Sequence, residues 1–163
     1  MASDGNGGNE IRIDRTGANK IQLWIDVSTQ ITSIGSVSLN SWSHVAITRS
    51  GSTVSIYING ALDSTATFGT ALNFSTCPLM IGVDVDSACT GGLSDYWNGG
   101  IDDVRVYNTA LTLSDIKSIA STKQVAGVTG STLWLRADAG VTGTSTVTAW
   151  ADQSDYDNAV TVV

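Results

Sequence analysis

Apolar and polar residues alternate along much of this chain with a period of two, the spacing that places successive side chains on opposite faces of a strand. In "EIRIDR" Ile11 and Ile13 share a face, and in "KIQLWID" Ile21, Leu23 and Ile25 do. "SHVAITR" and "TVSIYIN" alternate most strictly, with Val45 and Ile47, then Val54, Ile56 and Ile58, pointing one way. "SGS" joins these two as a short hairpin loop, and Asn59-Gly60 is a strong turn signal because both residues tolerate positive φ. Further strands are expected in "LMIGV", "IDDVRVY", "TLWLRA", "TVTAW" and "AVTVV". The chain has 1 proline, which suits antiparallel ladders that need their amide donors.

Helical spacing occurs in "TLSDIKSIA", where Leu113, Ile116 and Ile119 form one apolar stripe and Ser114 is a candidate cap. Many short antiparallel strands with one short helix near 113–120 predict an all-β fold, an antiparallel β-sandwich of the jelly-roll kind. After Ala120 the texture changes. "STKQVAGVTGS" is small and polar, so residues 121–130 read as a linker between a main body, 1–120, and a segment with its own strand pattern, 131–163.

Composition narrows the class of protein. A chain of 163 residues is long enough for one domain with a proper core. Its net charge of −7 comes with only 8 Lys and Arg, thinly spread, which excludes the clustered cations that nucleic acid or an anionic membrane surface requires. No apolar window is long enough to span a membrane, so no membrane insertion is expected. "MASDGNGGNE" shows no export signal, which leaves open a processed protein or a piece of a longer one. Glu10 is the only glutamate among 15 acidic residues, and aspartate prefers turns, caps and hard-cation sites. Few Lys and Glu beside many Ser, Thr and Asn point to an extracellular β-protein. Cys77 and Cys89 flank "PLMIGV" and are expected to form a disulfide, worth about 2–3 kcal/mol, against the alternative of two buried thiols.

Two blocks in the middle of the chain resemble the laminin-G-like, concanavalin A-like jelly-roll superfamily of lectin and glucanase folds. "SWSHVAITRSGSTVSIYING" is similar to that family's strand pair, in which a Trp opens the first strand and an Asn-Gly turn ends the second. "WNGGIDDVRVYNTALTLSDI" is similar to its closing signature. A third block, "STLWLRADAGV" with "VTAWADQSDYDN", resembles the start of such a domain and yet stands last. The tail therefore completes the sandwich of its own chain, in permuted order, or that of a neighbouring copy, because a sheet lacking strands exposes unpaired backbone.

The resemblance also shapes the candidate chemistry. Glucanases of the superfamily use paired carboxylates, usually glutamates, and that pair is missing: only Asp14 accompanies Glu10. His44 falls on a scaffold strand, and with two cysteines beside it neither a nucleophile–His pair nor a tetrahedral zinc site can be built. No enzyme is expected. Asp102 and Asp103 adjoin on a strand, so their side chains face opposite sides and cannot share an ion. Asp84 and Asp86 share a face if extended, and Asp152, Asp155 and Asp157 make an oxygen-rich loop. Many jelly rolls of the superfamily hold calcium, so Asp84, Asp86, Asp102, Asp152 and Asp155 are the candidate calcium ligands, against the alternative that they cap turns.

Sugar binding needs exposed rings with polar groups to read hydroxyls. The resemblance makes Trp42, Trp97, Trp134 and Trp150 structural, and Trp24, inside an apolar run, is expected in the core. Tyr96, Asn98 and Tyr156 remain as ligand-binding candidates. The expected function is a non-catalytic, extracellular adhesion or carbohydrate-binding module of a larger cell-surface or virion-associated protein, its partner a glycan or other cell-surface ligand. The alternative is a fibre or filament repeat that self-associates through its terminal strands.

Overall fold

The computed structural model describes residues 11–25, 29–69, 79–85, 92–121, 131–135, 141–142 and 149–154. The chain forms two compact units. One joins Met1–Trp97 with Thr112–Gln124, and the other joins Asn98–Leu111 with Val125–Val163.

In the first unit β1 (Ile11–Arg15), β2 (Ile21–Ile25) and β3 (Thr29–Thr32) make an antiparallel sheet in that order. A second antiparallel sheet runs β4 (Val45–Ser50), β5 (Thr53–Ile58), β6 (Ala61–Thr67). Ile21, Leu23 and Ile31 from the first sheet share one core with Val54 and Ile56 of β5 and with Phe68. Val37, Val45, Ile47, Ile58 and Ala66 pack against it. This is an all-β sandwich with its apolar faces turned inward, and each fully buried aliphatic side chain contributes about 1.5–3 kcal/mol. Ile13 lies opposite Leu23 and on the same face, yet it is 56% exposed, because the core is centred on β2 and β5 and β1 is an edge.

The hairpins form where the alternation places them. Gly51 (φ 58°) and Ser52 turn β4 into β5, and Asn59 (φ 50°) with Gly60 (φ 78°) turns β5 into β6. The Asn59 side chain accepts from the His44 amide at 2.9 Å, while its own amide donates to the His44 carbonyl at 2.8 Å, so His44 belongs to the scaffold. The β5–β6 register slips by one residue opposite Ile56 and Tyr57, which leaves Asp63 as the extra residue of a bulge. Its carboxylate then accepts from the amides of Ile34 (2.6 Å) and Gly35 (2.8 Å), tying the segment after β3 to β6. A Cβ on Gly35 would stand 2.7 Å from that carboxylate, so a larger residue there would push the Asp63 side chain away from these amides.

Three local expectations are corrected. "LMIGV" does not form a strand, because Gly82 is left-handed (φ 79°); the pairing begins only at the short β7 (Asp84–Val85), against β8 (Leu93–Ser94). The helix α1 (Leu113–Ser121) is capped by Thr112 rather than Ser114: the Thr112 hydroxyl accepts from the Asp115 amide at 3.2 Å. The Asp115 carboxylate accepts in return from the Thr112 amide (3.0 Å) and hydroxyl (2.6 Å), a reciprocal capping box. These donors hold the Asp115 carboxyl below its ordinary value, the Thr112 hydroxyl contributing most. Ile116 and Ile119 are buried, and α1 lies against the Asn59-Gly60 turn, where a Cβ on Gly60 would meet Ala120 at 3.1 Å.

The third correction concerns Asp102 and Asp103, which precede β9 (Val104–Tyr107) instead of lying on it. Asp103 is left-handed (φ 58°) and its amide donates to Asp102 Oδ1 at 2.7 Å. Its carboxylate grips Arg105 Nη2 at 2.7 and 2.9 Å, in a pair whose arginine side chain is only 6% exposed. The adjacent acids are scaffold: one caps a bend and the other neutralises a buried guanidinium.

In the second unit β9 pairs antiparallel with β10 (Ser131–Leu135), the segment that resembles a domain start, with Leu135 opposite Val104 and Leu133 opposite Val106. Leu135 is fully buried. A short ladder joins β11 (Val141–Thr142) and β12 (Ala149–Trp150). Among the described residues no helix is long and apolar enough to cross a membrane.

Candidate functional site

Two Arg–Trp pairs, both in the first unit, organise the surface of the β1–β2–β3 sheet. Residues opposite one another on antiparallel neighbours share a face, so Arg12 and Trp24, paired in register, both point away from the core. Trp24 is therefore not core: alternation puts it opposite Leu23. The Arg12 guanidinium lies 5.0 Å from the Trp24 ring centre, and Trp24 Nε1 donates to Asp14 Oδ2 at 3.1 Å. Arg12 also meets Asp14 at 3.4 Å and Asp84 at 3.2 Å, fastening β7 to β1. Ring face, indole N–H and both charges all have partners here.

The second pair is built differently. β1 ends at Arg15, and the chain reverses through a turn in which Asn19 is left-handed (φ 60°). The turn closes with hydrogen bonds from the Asn19 amide to the Thr16 carbonyl and from the Thr16 amide to the Lys20 carbonyl, each 2.9 Å. That geometry brings the Asn19 side-chain oxygen to Arg15 Nη1, which donates to it. On the other side, the chain leaves β8 through Asp95 (φ 47°), and the Trp97 amide donates to the Gly82 carbonyl at 2.8 Å. Trp97 is thereby held with its ring centre 5.8 Å from the Arg15 guanidinium carbon. It remains 42% exposed, and Tyr96 beside it is 67% exposed.

The sequence-based candidates are distributed as follows. Tyr96 lies on this surface. Asn98 is exposed and opens the second unit. Tyr156 lies outside the described residues, as do Asp86, Asp155, Cys77 and Cys89. Trp97, expected to be structural, is half open to solvent, and Trp42, given the same role, is 71% exposed beside an exposed Leu39. Of Trp134 the backbone pairs with Arg105, and Trp150 is half-buried. Arg15, Asn19 and Trp97 were missed by the sequence reading; for Arg15 and Asn19 the available signal was an arginine closing a strand with no acid in the turn that follows it, and for Trp97 there was none.

Three of the five calcium candidates, Asp84, Asp102 and Asp152, lie among the described residues, and each has a partner within the chain. Asp84 is paired with Arg12, and Asp102 accepts from the Asp103 amide. Asp152, 7% exposed, accepts from the amide and the hydroxyl of Ser154, each at 2.8 Å. Among the described residues no three His, Cys, Asp or Glu side chains come together as an ion would require.

A sandwich of antiparallel sheets with one helix stacked on an Asn-Gly hairpin, and with aromatic rings displayed beside the sheet edge, defines the class. The family model Laminin_G_3, of the concanavalin A-like lectin/glucanases superfamily, matches residues 1–117, and the chain belongs to that family. Two solved structures are similar. One is a "putative carbohydrate binding protein" from Bacteroides ovatus, 17% identical, with a TM-score of 0.69 over 90% of this chain and 43% of that one. The other is an S-layer domain-containing protein from Clostridium thermocellum, 31% identical, with a TM-score of 0.45 over 74% of this chain and 59% of that one. The chain thus spans less than two thirds of either. No curated protein matches it.

Proposed function

We propose that this chain is a non-catalytic, extracellular glycan-binding module of a larger surface protein, with the Tyr96–Trp97–Arg15 surface as its sugar platform. The observation that carries the reading is the exposed pair of rings, Tyr96 and Trp97, held by a backbone bond to Gly82 and by Arg15. The apolar face of a pyranose stacks on such rings, while a guanidinium and an amide read its hydroxyls. The name of the Bacteroides ovatus protein points the same way, though that likeness establishes fold only. Absence of catalysis is supported by Asp14 and Asp84: these carboxylates meet around Arg12, which sits between them instead of leaving room for a glycosidic bond. No step of the proposed binding runs through calcium.

Calorimetric titration against a panel of soluble oligosaccharides tests the reading. At least one glycan should bind, and Trp97→Ala should weaken it about tenfold, the scale of one lost stacking contact with its buried area. Wild-type affinity in Trp97→Ala, or no binding across the panel, would overturn it.

A second reading, a structural repeat joined by strand exchange, draws on the β9–β10 ladder, in which the domain-start segment meets the closing strand. We propose a main body (1–120), a linker (121–130) and a completing segment (131–163) that serves its own chain. Light scattering with and without residues 128–163 separates the two arrangements. A monomer that unfolds on truncation supports self-completion, and an oligomer that falls to soluble monomers supports exchange.

A further inference from the structure

The glycan-binding reading says nothing of which sugars are preferred, and Arg15 bears on that. Among the described arginines, Arg12 pairs with Asp14 and Asp84, Arg105 pairs with Asp103, and Arg49 donates from Nε to the Gly51 carbonyl at 2.9 Å. Arg15 meets only the neutral side chain of Asn19 and the ring of Trp97; among the described residues it has no acidic partner. It is exposed, and it is fixed in place by two contacts that leave most of its five N–H donors unused. An exposed, oriented, uncompensated guanidinium is unusual on a chain of net charge −7, where 15 acidic residues compete for 8 cations.

We infer that the platform prefers carboxylated saccharides, with the acid group against Arg15 and the apolar sugar face on Tyr96 and Trp97. The inference rests on the glycan-binding reading and adds its ligand class. A guanidinium fork matches a carboxylate in two parallel charge-assisted hydrogen bonds, which a hydroxyl cannot reproduce. The Asn19 oxygen and the Trp97 ring, 5.8 Å from the guanidinium carbon, restrain the side chain, so less freedom is lost when the acid arrives. The overall negative charge adds a second selection. A densely charged polyanion is repelled by the chain as a whole, whereas a saccharide with an isolated acid group meets chiefly the local field of Arg15.

Two matched probe pairs test this: trigalacturonate with its methyl ester, and 3′-sialyllactose with its methyl ester. The first pair stands for uronates and the second for sialates, and within each pair the acid is removed while the sugar rings that stack are kept. At low salt at least one acid form should bind about tenfold tighter than its neutral partner, the scale of one charge-assisted contact. Arg15→Gln should bring that ratio close to one, and Arg15→Lys, which keeps the charge without the fork, should fall between. Equal affinity within both pairs, or a ratio that survives in Arg15→Gln, overturns the preference and leaves the platform standing. If no member of either pair binds and the wider panel is also silent, the platform itself fails. Thermal melts of both variants confirm that the fold is retained, as expected for an exposed side chain.

Discussion

Arg12 on Trp24 and Arg15 on Trp97 are the same two residue types in contact a few residues apart, and they have opposite characters. In the first pair Asp14 takes the indole N–H, and Asp14 and Asp84 both pair with the guanidinium, which welds β7 to β1. In the second, one guanidinium N–H goes to Asn19, no acid answers among the described residues, and the ring stays 42% exposed. The difference lies in what surrounds the pair. An aromatic–cation contact becomes scaffold once its polar groups find internal partners, and it remains available to a ligand where they do not.

The largest test of this contrast is Trp24→Ala. Removing a half-buried indole unroofs Arg12 and leaves Asp14 without its N–H donor, which should cost about 2–3 kcal/mol of stability. Chemical denaturation reads this as a lower midpoint at constant slope. A change of under about 0.5 kcal/mol would place Trp24 with ordinary surface residues and erase the distinction. Trp97→Ala should behave in reverse, with Tm shifted by no more than about 2 °C and the loss appearing in glycan affinity. A large drop in stability there would make Trp97 scaffold too.

A finer cut converts one pair into the other. Asn19→Asp puts a carboxylate where Arg15 Nη1 now finds an amide oxygen, in a left-handed position that aspartate tolerates. Arg15 then acquires an acid partner as Arg12 has. Being solvent-exposed, the new ion pair should add no more than about 0.5 kcal/mol to stability. It should nonetheless weaken binding of a carboxylated saccharide several-fold, since the ligand must now displace an internal acid. Unchanged acid preference in this variant would show that the charge of Arg15 is not what the ligand meets.

These contrasts were only partly legible in the sequence. The β4–β5–β6 hairpins were written plainly, since Val45, Ile47, Val54, Ile56 and Ile58 keep strict alternation and Asn59-Gly60 names its own turn. β3 and much of β6 were not, because "TQIT" and "ALDSTAT" hold too few apolar residues to show a period, and their partners across the sheet supply the pattern instead. Trp24 could have been placed correctly. It stands between Leu23 and Ile25, and period two puts it on the other face; the apolar run around it concealed the alternation. Trp97 could not, since its exposure depends on a backbone bond to Gly82 and on the direction the chain takes after Asp95. Nor could the bulge at Asp63, which is a matter of register between strands.

The smallest effect comes from a charge satisfied in a third way. Among the described residues Asp115 has no cationic partner; the Thr112 hydroxyl and amide hold its carboxylate at the surface and lower its pKa from the ordinary 3.8. A carboxyl titrating lower in the folded chain than in the unfolded one contributes stability above its unfolded pKa and loses it as pH falls through the folded value. The carboxylate half of the capping box is therefore intact at neutral pH and weakens in the window running downward from 3.8, while the Thr112 hydroxyl still accepts from the Asp115 amide. Hydrogen exchange should show faster exchange at the start of α1 over that window, after correction for intrinsic rates, the Ile116 amide bonded to the Thr112 carbonyl included, while Ile119 in the buried stripe keeps its protection. Thr112→Ala should reproduce the fraying at neutral pH, at about 1 kcal/mol, and should reduce its pH dependence, since only the backbone amide at 112 is left to hold the carboxylate. If protection at the helix start in the parent chain did not change with pH, neutral donors would be holding the helix start without the charge.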